Sequence, residues 1–99
     1  MIKKKKKKMY EITPYTRKQA RRLGVEVKPS TDRTKKIDVY RKGKRVASVG
    51  GAGYSDYPTY IRTKGKAYAD RRRKEYKRRH RRDRLKRNTN GYYADQLLW

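Results

Sequence analysis

Cysteine is absent from this 99-residue chain, and phenylalanine with it. The first absence excludes disulfides and thiolate metal sites, and leaves the redox compartment unread. Acidic residues are scarce, nine against 33 lysines and arginines, so the formal net charge is +24 at pH 7. There is one histidine, which leaves little material for imidazole catalysis or a histidine-based metal centre. No apolar run approaches the roughly 18 residues of a membrane span. The N-terminal lysines resemble the first region of a signal peptide, but no apolar segment follows, so export by that route is not expected. Leu, Ile and Val total 13 residues. Such a small aliphatic fraction with high charge usually cannot bury enough surface to offset chain entropy.

What the chain does have is ten tyrosines, one tryptophan and a very dense positive charge. Tyrosine and tryptophan bury large areas while keeping a polar tip, and are common at interfaces. A thin core completed by a partner is therefore expected. A sequence pI near 10.7 points to polyanionic partners: acidic protein surfaces, duplex nucleic acid or anionic lipid headgroups.

The densest cationic stretch is KAYADRRRKEYKRRHRRDRLKR, Lys66 to Arg87, with 13 bases and three acids and neither proline nor internal glycine. Arg, Lys, Ala and Glu are good helix formers, so the stretch reads as one long helix of about 33 Å. Each acid has bases one turn away: Asp70 with Lys74, Glu75 with Arg71 and Arg79, Asp83 with Arg79 and Arg87. Most of the charge stays uncompensated, and Arg71, Arg72, Arg73, Lys77, Arg78, Arg79, Arg81, Arg82 and Arg84 are candidate polyanion contacts. Lys3, Lys4, Lys5, Lys6, Lys7 and Lys8 form an uninterrupted run that reads as an extended arm with the same role. A solubilising tail or a nuclear-localisation signal is the alternative for that run.

Thr13-Pro14 and Gly24 punctuate a short helix from Pro14 to Leu23. Val25 to Lys28 extends briefly before Pro29, and 29–36 reads as a loop. From Ile37 the hydrophobic period becomes two, and IDVY-RKGK-RVASV reads as a β-hairpin over 37–49. With Lys42-Gly43 at the turn, Val39 opposes Val46 and Ile37 opposes Ser48, while Asp38, Tyr40, Arg45 and Ala47 take the other face. A bulged register is the alternative. Gly50, Gly51 and Gly53 lack the ending of a phosphate-binding loop and read as a flexible turn. Asp56 caps a short helix with Pro58 in its first turn and its stop at Gly65. Tyr54, Tyr57 and Tyr60, spaced three apart, read as packing or interface residues, as do Tyr76, Tyr92, Tyr93, Leu97, Leu98 and Trp99. The ending YYADQLLW is expected to fold back on the core or to anchor in a neighbouring subunit. The long helix would rest on the hairpin through Tyr68, Ala69, Tyr76 and His80, with His80 a packed ring rather than a base.

The expected fold class is α+β: a small irregular domain with one β-hairpin, a short N-terminal helix, the long basic helix and a C-terminal apolar anchor. The organisation reads as a basic arm at 1–9, a short helix and linker at 10–35, and a module at 36–99 ending in the anchor 92–99.

The order KKIDVYRKGKRVASVG, GYSDYPTYI, YADRRRKEYKRRHRRDR and NGYYADQLLW, or in short GYSDY, RRKxYxxRH, LLW, resembles a family of small, basic, largely uncharacterised proteins of large double-stranded DNA viruses of algae and amoebae. The resemblance covers residues 36–99. The matching positions are Gly53, Tyr54, Asp56, Tyr57, Arg72, Arg73, Tyr76, Arg79, His80, Tyr92, Leu97, Leu98 and Trp99. It implies a viral gene product packaged in the virion, present in host cytoplasm or nucleus before assembly, and it carries no catalytic residue. Glycine, tyrosine and arginine suit a scaffold with a basic face, and lack the paired acids, metal ligands or nucleophile with base of an active site. The expectation is a non-enzymatic minor capsid or core protein bridging acidic surfaces of other virion proteins, with no cofactor, metal or small-molecule substrate. Sequence-nonspecific double-stranded DNA binding that condenses the genome is the alternative, and an anionic membrane surface is the third partner considered.

Overall fold

A central strand covered on both faces organises the chain. In the computed structural model, which describes residues 10–99, β2 (Lys35–Arg41) lies between β1 (Glu26–Pro29) and β3 (Lys44–Gly51) in an antiparallel sheet of order β1-β2-β3. Lys36, Ile37, Asp38 and Val39 are all buried. Helix α1 (Pro14–Leu23) precedes the sheet, and α2 (Tyr57–Lys64), α3 (Lys66–Arg79) and α4 (Asn90–Leu98) follow it. None of these helices is long and apolar enough to cross a membrane. The fold is α+β, as expected; the arm at 1–9, with Lys3–Lys8, lies outside the described residues.

Local chemistry sets most of the boundaries. Thr13 Oγ1 accepts from the Thr16 amide at 3.2 Å, Pro14 occupies the first turn, and Gly24 closes α1 at φ 73° with its N–H on Ala20 and Arg21 carbonyls. Asp56 caps α2 in the same manner through the Thr59 amide at 3.0 Å. The hairpin turn places Lys42 at φ 53° and Gly43 at φ 78°, the paired positive angles of a tight twisted turn.

The register differs from the expected one. A bulge at Val39/Tyr40 shifts β3 by one residue, so Val39 opposes Ala47 and Ile37 opposes Val49. Ala47 and Val49 thereby face the core in place of Val46 and Ser48, and Val46 is left 39% exposed. The shift is favourable because it stacks the longer run of apolar side chains, Ile37, Val39, Ala47 and Val49, on one face. The brief extended stretch expected over 25–28 is a third strand that includes Pro29 and pairs Val27 to Val39, and the loop expected over 29–36 is shorter, since β2 already begins at Lys35.

The core unites Ile12, Ala20 and Val25 with those sheet residues and with Tyr93, Leu97 and Leu98. Residues 10–35 therefore contribute helix, strand and apolar side chains to the same core as the rest of the described chain. The C-terminal patch folds back as α4, and α1 satisfies its last carbonyls: Thr16 Oγ1 donates to Leu97 O at 2.8 Å and Gln19 Nε2 to Gln96 O at 3.0 Å.

The glycines after β3 do more than bend. Gly50 sits at φ 84°, and a Cβ there would lie 2.7 Å from Leu98 Cδ1 and 3.0 Å from Lys36 Cδ. Gly43 has a similar φ but open space around it. Gly43→Ala should lose about 1 kcal/mol from backbone strain alone, whereas Gly50→Ala adds about 1–3 kcal/mol of overpacking. Thermal denaturation of the two variants should show a distinctly larger drop for Gly50→Ala; equal drops would mean that Leu98 and Lys36 yield freely.

Candidate polyanion-binding face

The long basic helix is shorter than its composition implies. α3 stops at Arg79, and residues 80–88 wind through turns, with Arg84 N–H on His80 O at 2.9 Å and Lys86 N–H on Asp83 O at 3.2 Å. Helix propensity is overridden by α4. Tyr93, Leu97 and Leu98 are at most 1% exposed, and a straight helix to Arg87 would carry the chain away from the core those residues must enter. The reversal is held at Asn88, at φ 66°, whose Oδ1 accepts from the Tyr93 hydroxyl at 3.1 Å, and by Thr89, which caps α4. Tyr93 in turn accepts from Arg41 Nη2 at 3.2 Å, tying the reversal to β2.

The carboxylates choose partners other than those the spacing suggests. Asp70 meets Lys66 at 3.0 Å and Arg73 at 3.9 Å instead of Lys74, Glu75 meets Arg72 at 3.1 Å, and Asp83 meets His80 Nδ1 at 3.3 Å. Asp70 also accepts from the Tyr57 hydroxyl at 2.7 Å, the first cause, ahead of Lys66, of its lowered pKa. Asp83 is lowered chiefly by its hydrogen bond with His80.

Two buried carboxylates decide which cations remain available. Asp95, 1% exposed on α4, receives Lys77 Nζ at 2.7 Å and lies 3.7 Å from Arg84 Nη1. The Arg84 contact is loose, and its buried Nε has no hydrogen-bond partner among the described residues. Asp56, fully buried, holds Lys36 of β2 at 3.0 Å and accepts from the Tyr10 hydroxyl at 2.7 Å. Burial pushes the Asp56 carboxyl up, but the Lys36 charge and the Thr59 and Tyr10 hydrogen bonds outweigh it, leaving the pKa below its ordinary 3.8. The same contact, with burial as the larger cause, raises the Tyr10 phenol.

The nine candidate cations described therefore divide. Lys77 and Arg84 turn inward to Asp95, and Arg73 lies 4.0 Å over the Tyr57 ring. Arg72 sits 5.6 Å over Tyr60 and Arg71 5.2 Å over Tyr68, each still part of the surface. Arg78, Arg79, Arg81 and Arg82 are exposed, and none has a carboxylate partner among the described residues. These four cluster where α3 gives way to the turns.

Of the aromatic candidates, Tyr57, Tyr76 and Tyr93 are buried, with Leu97 and Leu98, while Tyr60, Tyr92 and Trp99 are half-buried. Tyr54 is the exception at 79% exposed, its ring lying over Gly51. α3 packs chiefly on α2 rather than on the hairpin, and it meets α4 through Tyr76, stacked on Trp99 at 4.4 Å and 8°. His80 lies against Tyr76 at 4.4 Å, its ring tilted by 31°. Burial first, then the charges of Asp95 and Asp83, pushes the Tyr76 phenol up to about 12. Tyr68 lies instead against Tyr60 at 5.3 Å. Sequence reasoning missed Lys36, Asp95 and Tyr10 as positioning residues; an aspartate inside the apolar run YYADQLLW was the available signal for one of them. Among the described residues no three His, Asp or Glu side chains are grouped to hold a metal ion.

Comparison with known proteins finds no matching family model, no matching curated protein and no matching solved structure.

Two predictions follow from this division of charge. Lys77→Ala leaves the Asp95 carboxylate buried without its close partner and should lose about 3 kcal/mol of stability, while Arg78→Ala, one residue on, should change stability by under about 0.5 kcal/mol; urea unfolding distinguishes them. Asp56→Asn strands the Lys36 charge and should lose about 3–5 kcal/mol. Because the folded Asp56 pKa is depressed, its contribution is complete above the unfolded value near 3.8 and is lost as pH falls through the lower folded value. Wild-type urea midpoints should accordingly drop from pH 6 to pH 2 more steeply than those of Asp56→Asn; parallel pH profiles would refute the assignment.

Proposed function

We propose that this protein is a non-enzymatic structural component of a virus particle, a minor capsid or core protein that bridges acidic surfaces through its cationic helix and N-terminal arm. The observation that carries the reading is the exposed quartet Arg78, Arg79, Arg81 and Arg82, none with a carboxylate partner among the described residues. Like charges gathered at one end of a helix repel one another, and an anionic partner relieves that repulsion. The resemblance of residues 36–99 to viral proteins supports the particle as the setting, with acidic surfaces of other virion proteins as partners and host cytoplasm or nucleus as the place before assembly. A non-catalytic role is supported by the use of the acids: Asp56, Asp70, Glu75, Asp83 and Asp95 are each engaged by a basic side chain.

A second reading, sequence-nonspecific duplex DNA binding that packages the genome, is favoured by the residue types on α3. Its exposed side is mostly arginine and lysine, with no asparagine or glutamine to read adenine edges, a composition suited to phosphates.

Particle fractionation separates the two. Protein retained on purified shells after nuclease treatment and released by salt supports the bridging reading; protein lost with the genome supports the second; absence from particles by mass spectrometry overturns both. In solution, duplex affinity should fall with salt at a log-log slope of about −0.9 per phosphate neutralised. Replacing the quartet with glutamine should make that slope shallower by about 3.6, and an unchanged slope would remove these arginines from the contact.

A further inference from the structure

Between the glycines ending β3, the C-terminal half of α3 and the end of α4 lies a pocket of about 310 Å³. That is the small end of the ligand-pocket range of about 300–1,000 Å³. Five of its lining residues carry rings, Tyr54, Tyr60, Tyr76, His80 and Trp99. Tyr76 and Trp99 form one stacked pair, Tyr60 stands 6.2 Å from Trp99 at 52°, and exposed Tyr54 stands among the lining residues with its ring against Gly51.

The cations around the pocket are not equivalent. Lys36 is neutralised by Asp56, and Arg72 shares its charge with Glu75 at 3.1 Å. Arg79 has no carboxylate partner among the described residues. Seven residues separate it from Arg72, two turns of the same helical side, with Tyr76 between them. The pocket thus joins aromatic walls to a guanidinium that lacks an anion.

We propose that this pocket takes one unstacked base of a single-stranded nucleic acid, with an adjoining phosphate held by Arg79 and, more weakly, Arg72. A base has the flat π-face such walls accept, and stacking of this kind tolerates any base. A duplex keeps its bases inside the stack and contacts only the cationic face. An acidic side chain would answer Arg79 and leave the rings without a partner; an apolar one would do the reverse. The inference goes beyond the particle reading and shares with it only the charge of Arg79.

Trp99 is the sole tryptophan, so fluorescence of the full chain reports on this pocket directly. The probes are a short oligothymidylate, an abasic oligomer of the same length, and polyglutamate, titrated at one salt concentration. Expected is saturable quenching by oligothymidylate, with binding but no quenching by the other two. Tyr54→Ala, at a position too exposed to affect folding, should weaken oligothymidylate binding about tenfold and leave abasic binding unchanged, while Arg79→Gln should weaken both. Equal quenching by the abasic oligomer or polyglutamate, oligothymidylate binding without quenching, or an unaffected Tyr54→Ala variant would each overturn the pocket assignment while the cationic face stands. Failure of all three polymers to bind would overturn the cationic-face reading together with this one.

Discussion

Scarcity of negative charge is the constraint on which this fold depends. With nine carboxylates for 33 lysines and arginines, the buried acids Asp56 and Asp95 determine the fate of the bases they hold, while buried Asp38 accepts from Ser48 instead. Asp56 caps α2, receives the Tyr10 hydroxyl and holds Lys36 of the central strand, so one buried side chain joins the N-terminal segment, the sheet and a helix. A buried pair of this kind is not by itself a source of net stability, because desolvating both charges offsets most of their attraction. Its effect is specificity: Lys36 is 5% exposed and has no other acid in salt-bridge contact among the described residues, so any arrangement that separates it from Asp56 is heavily penalised.

Asp95 performs the equivalent task at the other end. It draws Lys77 inward and fixes α4 against α3, and in doing so removes that lysine from the surface charge. Tyrosine faces add to the acids, and serve some cations that have no acid partner among the described residues. Arg73 over Tyr57, Arg72 over Tyr60, Arg71 over Tyr68, Lys36 over Tyr10 and Lys28 over Tyr40 all place a cation on a ring. Each such contact is worth about 0.5–1 kcal/mol at exposed sites. The rings also supply the packing that 13 aliphatic residues cannot, which explains how so charged a chain assembles a core at all.

The elements legible in the sequence are those set by local chemistry. Thr13-Pro14 with Gly24, Asp56-Pro58 with Gly65, and Lys42-Gly43 each act within a few residues, and the helices and turn they imply stand where expected. The apolar ending was legible as a segment that must be buried, because no other stretch offered comparable apolar density, but not as one that docks on its own core rather than on a neighbour. What the sequence does not carry is the choice among equivalent partners. Asp70 has Lys66, Arg73 and Lys74 all within one turn, and in the fold it meets Lys66 and Arg73 and accepts from Tyr57 of another helix, a contact that spacing along α3 cannot anticipate. The bulge at Val39 follows from competition between Val46 and Val49 for the core, a comparison of whole faces rather than of neighbours. Lys36 and Asp56 are twenty positions apart, and their pairing follows from the tertiary fold alone.

The end of α3 at Arg79 shows how packing shapes the surface as well as the interior. A helix continued to Arg87 would distribute its bases around a rod of about 33 Å, with successive charges turned some 100° apart. Burial of Tyr93, Leu97 and Leu98 instead forces the chain to reverse, and the fourteen residues of the actual helix span about 21 Å. The remaining bases are folded back beside its end, and Asp95 takes two of the nearby cations out of solution contact in part. The aliphatic core and the positive face are thus two consequences of one event: the same docking of α4 that completes the interior gathers Arg78, Arg79, Arg81 and Arg82 together and sets Trp99 beside them. A change that loosened α4 would be expected to disperse that charge even though it touched none of the arginines.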